Sequence, residues 1–298
     1  MMVKQVFSIL FLMMLMSHIS YSYGMSQEVS QKKKYILQTY TPHSPRRTFH
    51  NQWRARYPEG ATDAFKWIGS IIKDVAVLQI NLVSWDSFKV IASVFPFFVG
   101  ARMLDEPVHS YFYDHQHHKN KNQLPRWAET FAQLTSIGVP ITFLGTQAFL
   151  SRDIEFRETS RMLLLGMPVV IWSKDLIKKA QIDVCLRPWN EKFSCKQRAF
   201  GGFPSGHVAQ ATYTAVLYGM RYGPAFSIPL GLIAGGIGLM FVGCNRHLLS
   251  QVIAGAGFGA IYGIAANRLL DEKFEKELKI KLDVDDQGGP ALKVACRF

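Results

Sequence analysis

The chain has 298 residues, 48% of them hydrophobic and only 19% charged, which places it at a membrane and is long enough for one sizeable helical domain. A formal charge of +12 and a pI near 9.5 point to anionic lipid or substrate. Nucleic-acid binding is disfavoured, because the basic residues lie on a polar leader and on helix flanks, with no recognised binding module.

Residues 1–22 read as a secretory signal: Lys4 supplies the positive end, residues 6–16 the apolar stretch, and Ser20-Tyr21-Ser22 small residues for cleavage. The alternative is an uncleaved first membrane helix. Residues 23–87 form a basic polar region, with Lys32, Lys33, Lys34, Arg46, Arg47, Arg54 and Arg56. Within it, residues 65–83 carry Lys66, Lys73 and Asp74 and read as an interfacial amphipathic helix, although an additional crossing there would alter the topology. Apolar runs then recur at 88–104, 131–150, 162–172, 208–218, 224–242 and 248–266; some approach the about 20 residues that span a bilayer. Asp105 and Glu106 before Pro107 read as a helix stop at the membrane edge. Asp114-His115-Gln116-His117-His118 invites a metal assignment, but the Lys119-Asn120-Lys121-Asn122 that follows favours a solvated loop. Gly255, Gly259 and Gly263 recur every four residues and give the last helix a smooth packing face. Residues 269–298 are a charged tail followed by two alternating apolar stretches around Asp285-Asp286-Gln287-Gly288-Gly289-Pro290, the pattern of a hairpin.

Four cysteines permit two pairs in an exported chain, Cys185 with Cys195 and Cys244 with Cys296; the other reading is four unlinked thiols. None has Cys-x-x-Cys metal spacing.

The segment Phe203-Pro204-Ser205-Gly206-His207 carries the chemistry. Ser205 can cap a helix, the amides of the first turn point at any anion there, and His207 can pass a proton to a leaving oxygen. Arg187-Pro188 lies upstream, and His247 follows after one long apolar segment. Taken alone, the pentapeptide reads first as an ordinary helix start with an interfacial histidine; the surrounding residues reverse that.

Arg187-Pro188, then Pro204-Ser205-Gly206-His207, then His247 before Val-x-Ala-Gly together resemble the three blocks of the type 2 phosphatidic acid phosphatase superfamily, over about residues 88 to 267. Lys179 is nearest to the family lysine, one residue off, since Ala180 holds the usual position. Phe241 stands where the family has arginine, with Arg246 a candidate replacement, and Gln251 stands where it has aspartate. The resemblance implies an all-α, membrane-embedded bundle of about six core helices, here over 88–268; the short C-terminal β-hairpin read from the alternating tail is added to it. It implies His247 as nucleophile, oriented by Gln251, and His207 as acid and then base. Lys179, Arg187, Ser205, Gly206 and Arg246 would bind the phosphate. No metal and no other cofactor is implied; a vanadate ion in the same cradle would support haloperoxidase chemistry, but the apolar chain favours phosphate esters.

The expected activity is hydrolysis of a phosphomonoester or diphosphate, most of all on a lipid such as phosphatidate or a polyprenyl diphosphate. The setting is a bacterial cell envelope with the site facing the periplasm, although a cleaved signal and three crossings before Arg187 would put the site on the cytoplasmic side. The rival is a non-catalytic scaffold or phospholipid binder of the same fold. An open anion pocket between His207 and His247 with two cations favours the enzyme; Phe241 plugging it, with Arg246 turned to lipid, favours the scaffold.

Overall fold

A computed structural model describes residues 61–179, 202–284 and 290–296. The signal region, the Arg187-Pro188 segment with Cys185 and Cys195, and the chain end lie outside the described residues. The order is α1 (Ala61–Asn81), α2 (Trp85–Phe112), β1 (Tyr113–Asp114), β2 (Lys119–Asn120), α3 (Arg126–Gln133), α4 (Gln147–Leu150), α5 (Ile154–Lys179), α6 (Gly206–Tyr222), α7 (Pro224–Gly243), α8 (Leu249–Glu277), β3 (Leu278–Val284) and β4 (Pro290–Cys296). The architecture is the expected helical bundle, and β3 pairs antiparallel with β4 in the register Ile280 to Val294 and Leu282 to Leu292.

Each apolar run becomes helix, with two differences of detail. Pro107 does not stop α2, which runs on to Phe112, because Asp105 is drawn into the protein instead of lying at an exposed end. The 131–150 run is not one α-helix: between α3 and α4 the turns Leu134–Gly138 and Pro140–Gly145 widen to π geometry. Pro140 lacks an amide for the regular ladder, and Gly145 lies where an added Cβ would meet Leu164 of α5 at 2.6 Å.

Helix α6 is the axis of the bundle, buried along nearly its whole length and packed on α5, α7 and α8. The glycine series of α8 sets this closeness. A Cβ on Gly255 would stand 2.5 Å from the Ser205 carbonyl oxygen, and one on Gly259 2.1 Å from that of Ala209. At Gly263 it would meet Val216 at 2.7 Å. The two backbones therefore touch, as small residues allow in membrane helices. Around this seam Leu163, Met167, Val170, Tyr213, Leu217, Tyr262 and Ala266 form the main core. Helix α1 joins it: Leu78 is fully buried, Gln79 accepts from the Tyr262 hydroxyl, and Asp74 pairs with Lys273.

Three helices, α2, α7 and the Leu249–Phe274 part of α8, are long and apolar enough to cross a membrane. Exposed apolar side chains follow the same outer helices: Phe88, Ile91, Phe95 and Met103 on α2, Ile228, Leu232 and Ile233 on α7. In water such a band is costly, whereas in lipid it is the ordinary surface of a spanning helix. Cys244 is a buried, unlinked thiol among the described residues.

Candidate active site

The site is built where the starts of α6 and α8 meet the ends of α5 and α7. Helix α7 closes on Asn245, whose φ of 54° is the left-handed conformation asparagine tolerates at helix ends. The Phe241 carbonyl then accepts the amides of both Arg246 (2.9 Å) and His247 (3.3 Å), which folds the turn back and delivers His247 to the foot of α8. Asp105, reaching across from α2, accepts from the amide and hydroxyl of Ser250 and so caps the first turn of α8.

Gln251 Oε1 lies 3.0 Å from His247 Nδ1 and 3.2 Å from the Leu248 amide. Because an amide N–H points at that atom, it is an acceptor oxygen, and His247 Nδ1 must donate to it. The imidazole is thereby held with its lone pair on Nε2. The Gln251 backbone carbonyl accepts from the Ser205 amide at 3.0 Å, so the two motif blocks are joined directly.

Ser205 occupies the N-cap position of α6, but its hydroxyl makes no capping bond. That oxygen is fully buried and has no hydrogen-bond partner among the described residues. Gly206 leaves room for Lys174 of α5, whose Cε would lie 2.7 Å from a Cβ placed there. Lys174 Nζ also donates to Asp175 at 2.6 Å. His207 is held down to a pKa of about 4, first by burial and then by the charges of Lys174 and Lys178, while Glu129 acts in the opposite sense.

The phosphate-binding residues named from sequence are not all brought together. Lys179 is exposed at the end of α5, whereas Lys178, one residue earlier, is buried and acts on His207. A one-residue step turns a helical side chain by roughly 100°, which decides which lysine faces α6. Arg246 Nη2 lies 2.5 Å from Glu129 Oε1 of α3, so its charge is engaged there. Arg187 lies outside the described residues. Sequence reasoning passed over Lys174, Lys178, Glu129 and Asp105. The four-residue spacing of Lys174 and Lys178 was a legible signal that both share one face of α5; Glu129 and Asp105 had none.

Phe241 is buried between the two histidines. Its ring stacks on His207 at 4.7 Å between centroids and meets His247 edge-on at 5.7 Å. Of the two arrangements set against each other from sequence, the structure has parts of each: two lysines beside His207, and an aromatic wedge between the rings.

Residues 161–275, spanning α5 to α8 and all of this machinery except α2 and α3, match the model of the PAP2 superfamily. This stretch is similar to a PAP2 domain. Among solved structures, the chain is similar to a transmembrane PAP2-type phosphatidylglycerolphosphate phosphatase from Bacillus subtilis. The two are 19% identical with a TM-score of 0.41, over 64% of this chain and 98% of that one. Among curated proteins none matches. The matched stretch thus holds both histidines, Gln251 and both lysines, while Glu129 and Asp105 come from helices N-terminal to it.

Proposed function

We propose that the PAP2-like stretch is a membrane-embedded phosphatase that cleaves a phosphomonoester or diphosphate of a lipid through a phosphohistidine. The carrying observation is the Ser205 hydroxyl, fully buried at the first turn of α6 without a partner among the described residues. A buried polar atom left so costs about 1–3 kcal/mol unless a ligand satisfies it. A phosphate oxygen would satisfy it, together with the first-turn amides of α6 and the ammonium groups of Lys174 and Lys178.

In this reading the His247 Nε2 lone pair attacks phosphorus, and Nδ1–H stays on Gln251 Oε1 while positive charge develops on the ring. The bond from phosphorus to the leaving oxygen breaks, and that oxygen takes a proton from His207. Water then attacks the phosphohistidine, His207 accepts its proton, and phosphate leaves with His247 restored. A bound phosphate dianion opposes the lysines that depress His207, and so favours the protonated ring the first step needs. Phe241 must give way for the phosphoryl group to lie between the rings. The exposed apolar faces of α2 and α7 support a lipid substrate, whose tails would stay in the bilayer. An envelope location with the site on the periplasmic face is the setting we propose.

A second reading, a phospholipid-binding scaffold, is favoured by Phe241 against both histidines and by the Arg246–Glu129 pair. Phosphate release from phosphatidate and from a polyprenyl diphosphate in mixed micelles decides between them, with His247→Ala beside the full chain. Release that falls at least about a thousandfold in the variant, with acid-labile phosphate trapped only on the unaltered protein, supports the phosphatase. Equal, negligible release from two folded proteins that still bind phosphatidate vesicles supports the scaffold.

A further inference from the structure

Among the described residues, Glu106, His109 and His115 bring three ligand atoms within 4.8 Å of one another. None of them takes part in the chemistry above. Glu106 and His109 stand three apart on α2, so one helical turn presents both, and His115 is returned to that turn by the tight β1–β2 hairpin. The loop histidine thus turns toward α2, whereas its neighbour His117 pairs with Asp114 at 2.9 Å.

The set has the dimensions of a metal site. His115 Nε2 lies 3.6 Å from Glu106 Oε1. Ligands around a tetrahedral zinc, with bonds of about 2.0–2.1 Å, stand about 3.3 Å apart. The His109 and His115 rings meet edge-to-face at 5.1 Å, and His109 is buried and backed by the Tyr113 ring. One ring is therefore preset by packing, while the Glu106 side chain, 76% exposed and accepting from the Ser110 hydroxyl, can turn the rest of the way. Two imidazoles and a carboxylate are a donor set that zinc and its neighbours in the first transition row accept.

We propose that Glu106, His109 and His115 bind one divalent transition ion, zinc above all, with water completing the shell, and that the ion fastens the β1–β2 hairpin to the end of α2. The hairpin continues into the segment whose Leu124 amide donates to Gly243 at the end of α7 and which leads to α3, the helix of Glu129. His109 also lines, with Asp105, Asn245 and His247, a narrow void beside the candidate active site. An ion here would hold one wall of that site without entering its chemistry, and the inference does not rest on the phosphatase reading.

The test is a zinc titration of the full, chelator-stripped and untagged chain in detergent against a chromophoric competitor, with Co²⁺ as a spectroscopic substitute. One ion per chain is expected, with four-coordinate Co²⁺ bands. His115→Ala, at a half-exposed hairpin position, should keep the fold and weaken zinc at least about tenfold, and Glu106→Gln should weaken it too. His117→Ala should leave binding unchanged. No stoichiometric zinc, or affinity untouched by His115→Ala, would overturn the proposal and leave an ordinary histidine–glutamate pair.

Discussion

The two histidines of the site sit in contrasting surroundings. His247 is held from several directions: its amide by the Phe241 carbonyl, its ring by Gln251, and the helix behind it by Asp105. The His207 side is different, with a buried serine hydroxyl that has no partner among the described residues and two lysines pressing their charge on the ring. One half is fixed in orientation; in the proposed reading, the other would bind the phosphate. A catalyst that forms a covalent bond to one side of a phosphoryl group needs that division, because preorganised groups cost nothing to align during reaction.

The comparison breaks most completely if the halves separate. Gly259→Val places a side chain where a Cβ would already lie 2.1 Å from the Ala209 carbonyl oxygen. Loss of about 3 kcal/mol of stability, or failure to fold, is expected in detergent unfolding experiments; an unchanged midpoint would mean that α6 and α8 do not pack this closely. A smaller effect targets the orienting half alone. Gln251→Ala should lower kcat on the order of a hundredfold, since a neutral partner supplies orientation without charge. Gln251→Glu should restore much of it, and the ¹⁵N shifts of His247 should report the lost tautomer preference only in the alanine variant.

The open half answers differently. Ser205→Ala should weaken phosphate-analogue binding about tenfold, the value of one hydrogen bond to a charged group. It should cost none of the roughly 1 kcal/mol that losing a helix cap ordinarily does, because the hydroxyl caps nothing here. Normal binding with reduced stability would reverse that assignment. The finest test is electrostatic. Lys174 lowers and Glu129 raises the proton affinity of His207, so Lys174→Met should move the alkaline limb of kcat/KM to higher pH and Glu129→Gln to lower pH. Shifts in the same direction would show that these charges do not act on the ring. By linkage, a ring kept neutral down to about pH 4 makes the fold lose stability as pH falls from about 6.5, because the unfolded chain takes up a proton that the folded one refuses.

Much of the fold was legible because membrane helices announce themselves by composition and the α8 glycines by spacing. The hairpin at the end was legible from alternation, and the His247–Gln251 contact from a four-residue spacing on one helical turn. The lysine assignment was not. Lys178 and Lys179 are the same residue type side by side, and only the rotation of α5 against α6 separates the buried one from the exposed one. Asp105 looked like a helix end because proline follows two residues later, yet α2 continues and the carboxylate caps a helix 145 residues away in sequence.

The sequence by itself determined the helical class, the order of the apolar segments and the motif residues, because these depend on local periodicity and residue chemistry. Only the tertiary structure decided that Phe241 stands between the histidines, that Arg246 is engaged by Glu129, and that His115 reaches Glu106 and His109. Those meetings depend on the crossing and rotation of helices far apart in the chain, which side-chain packing sets and no local pattern encodes.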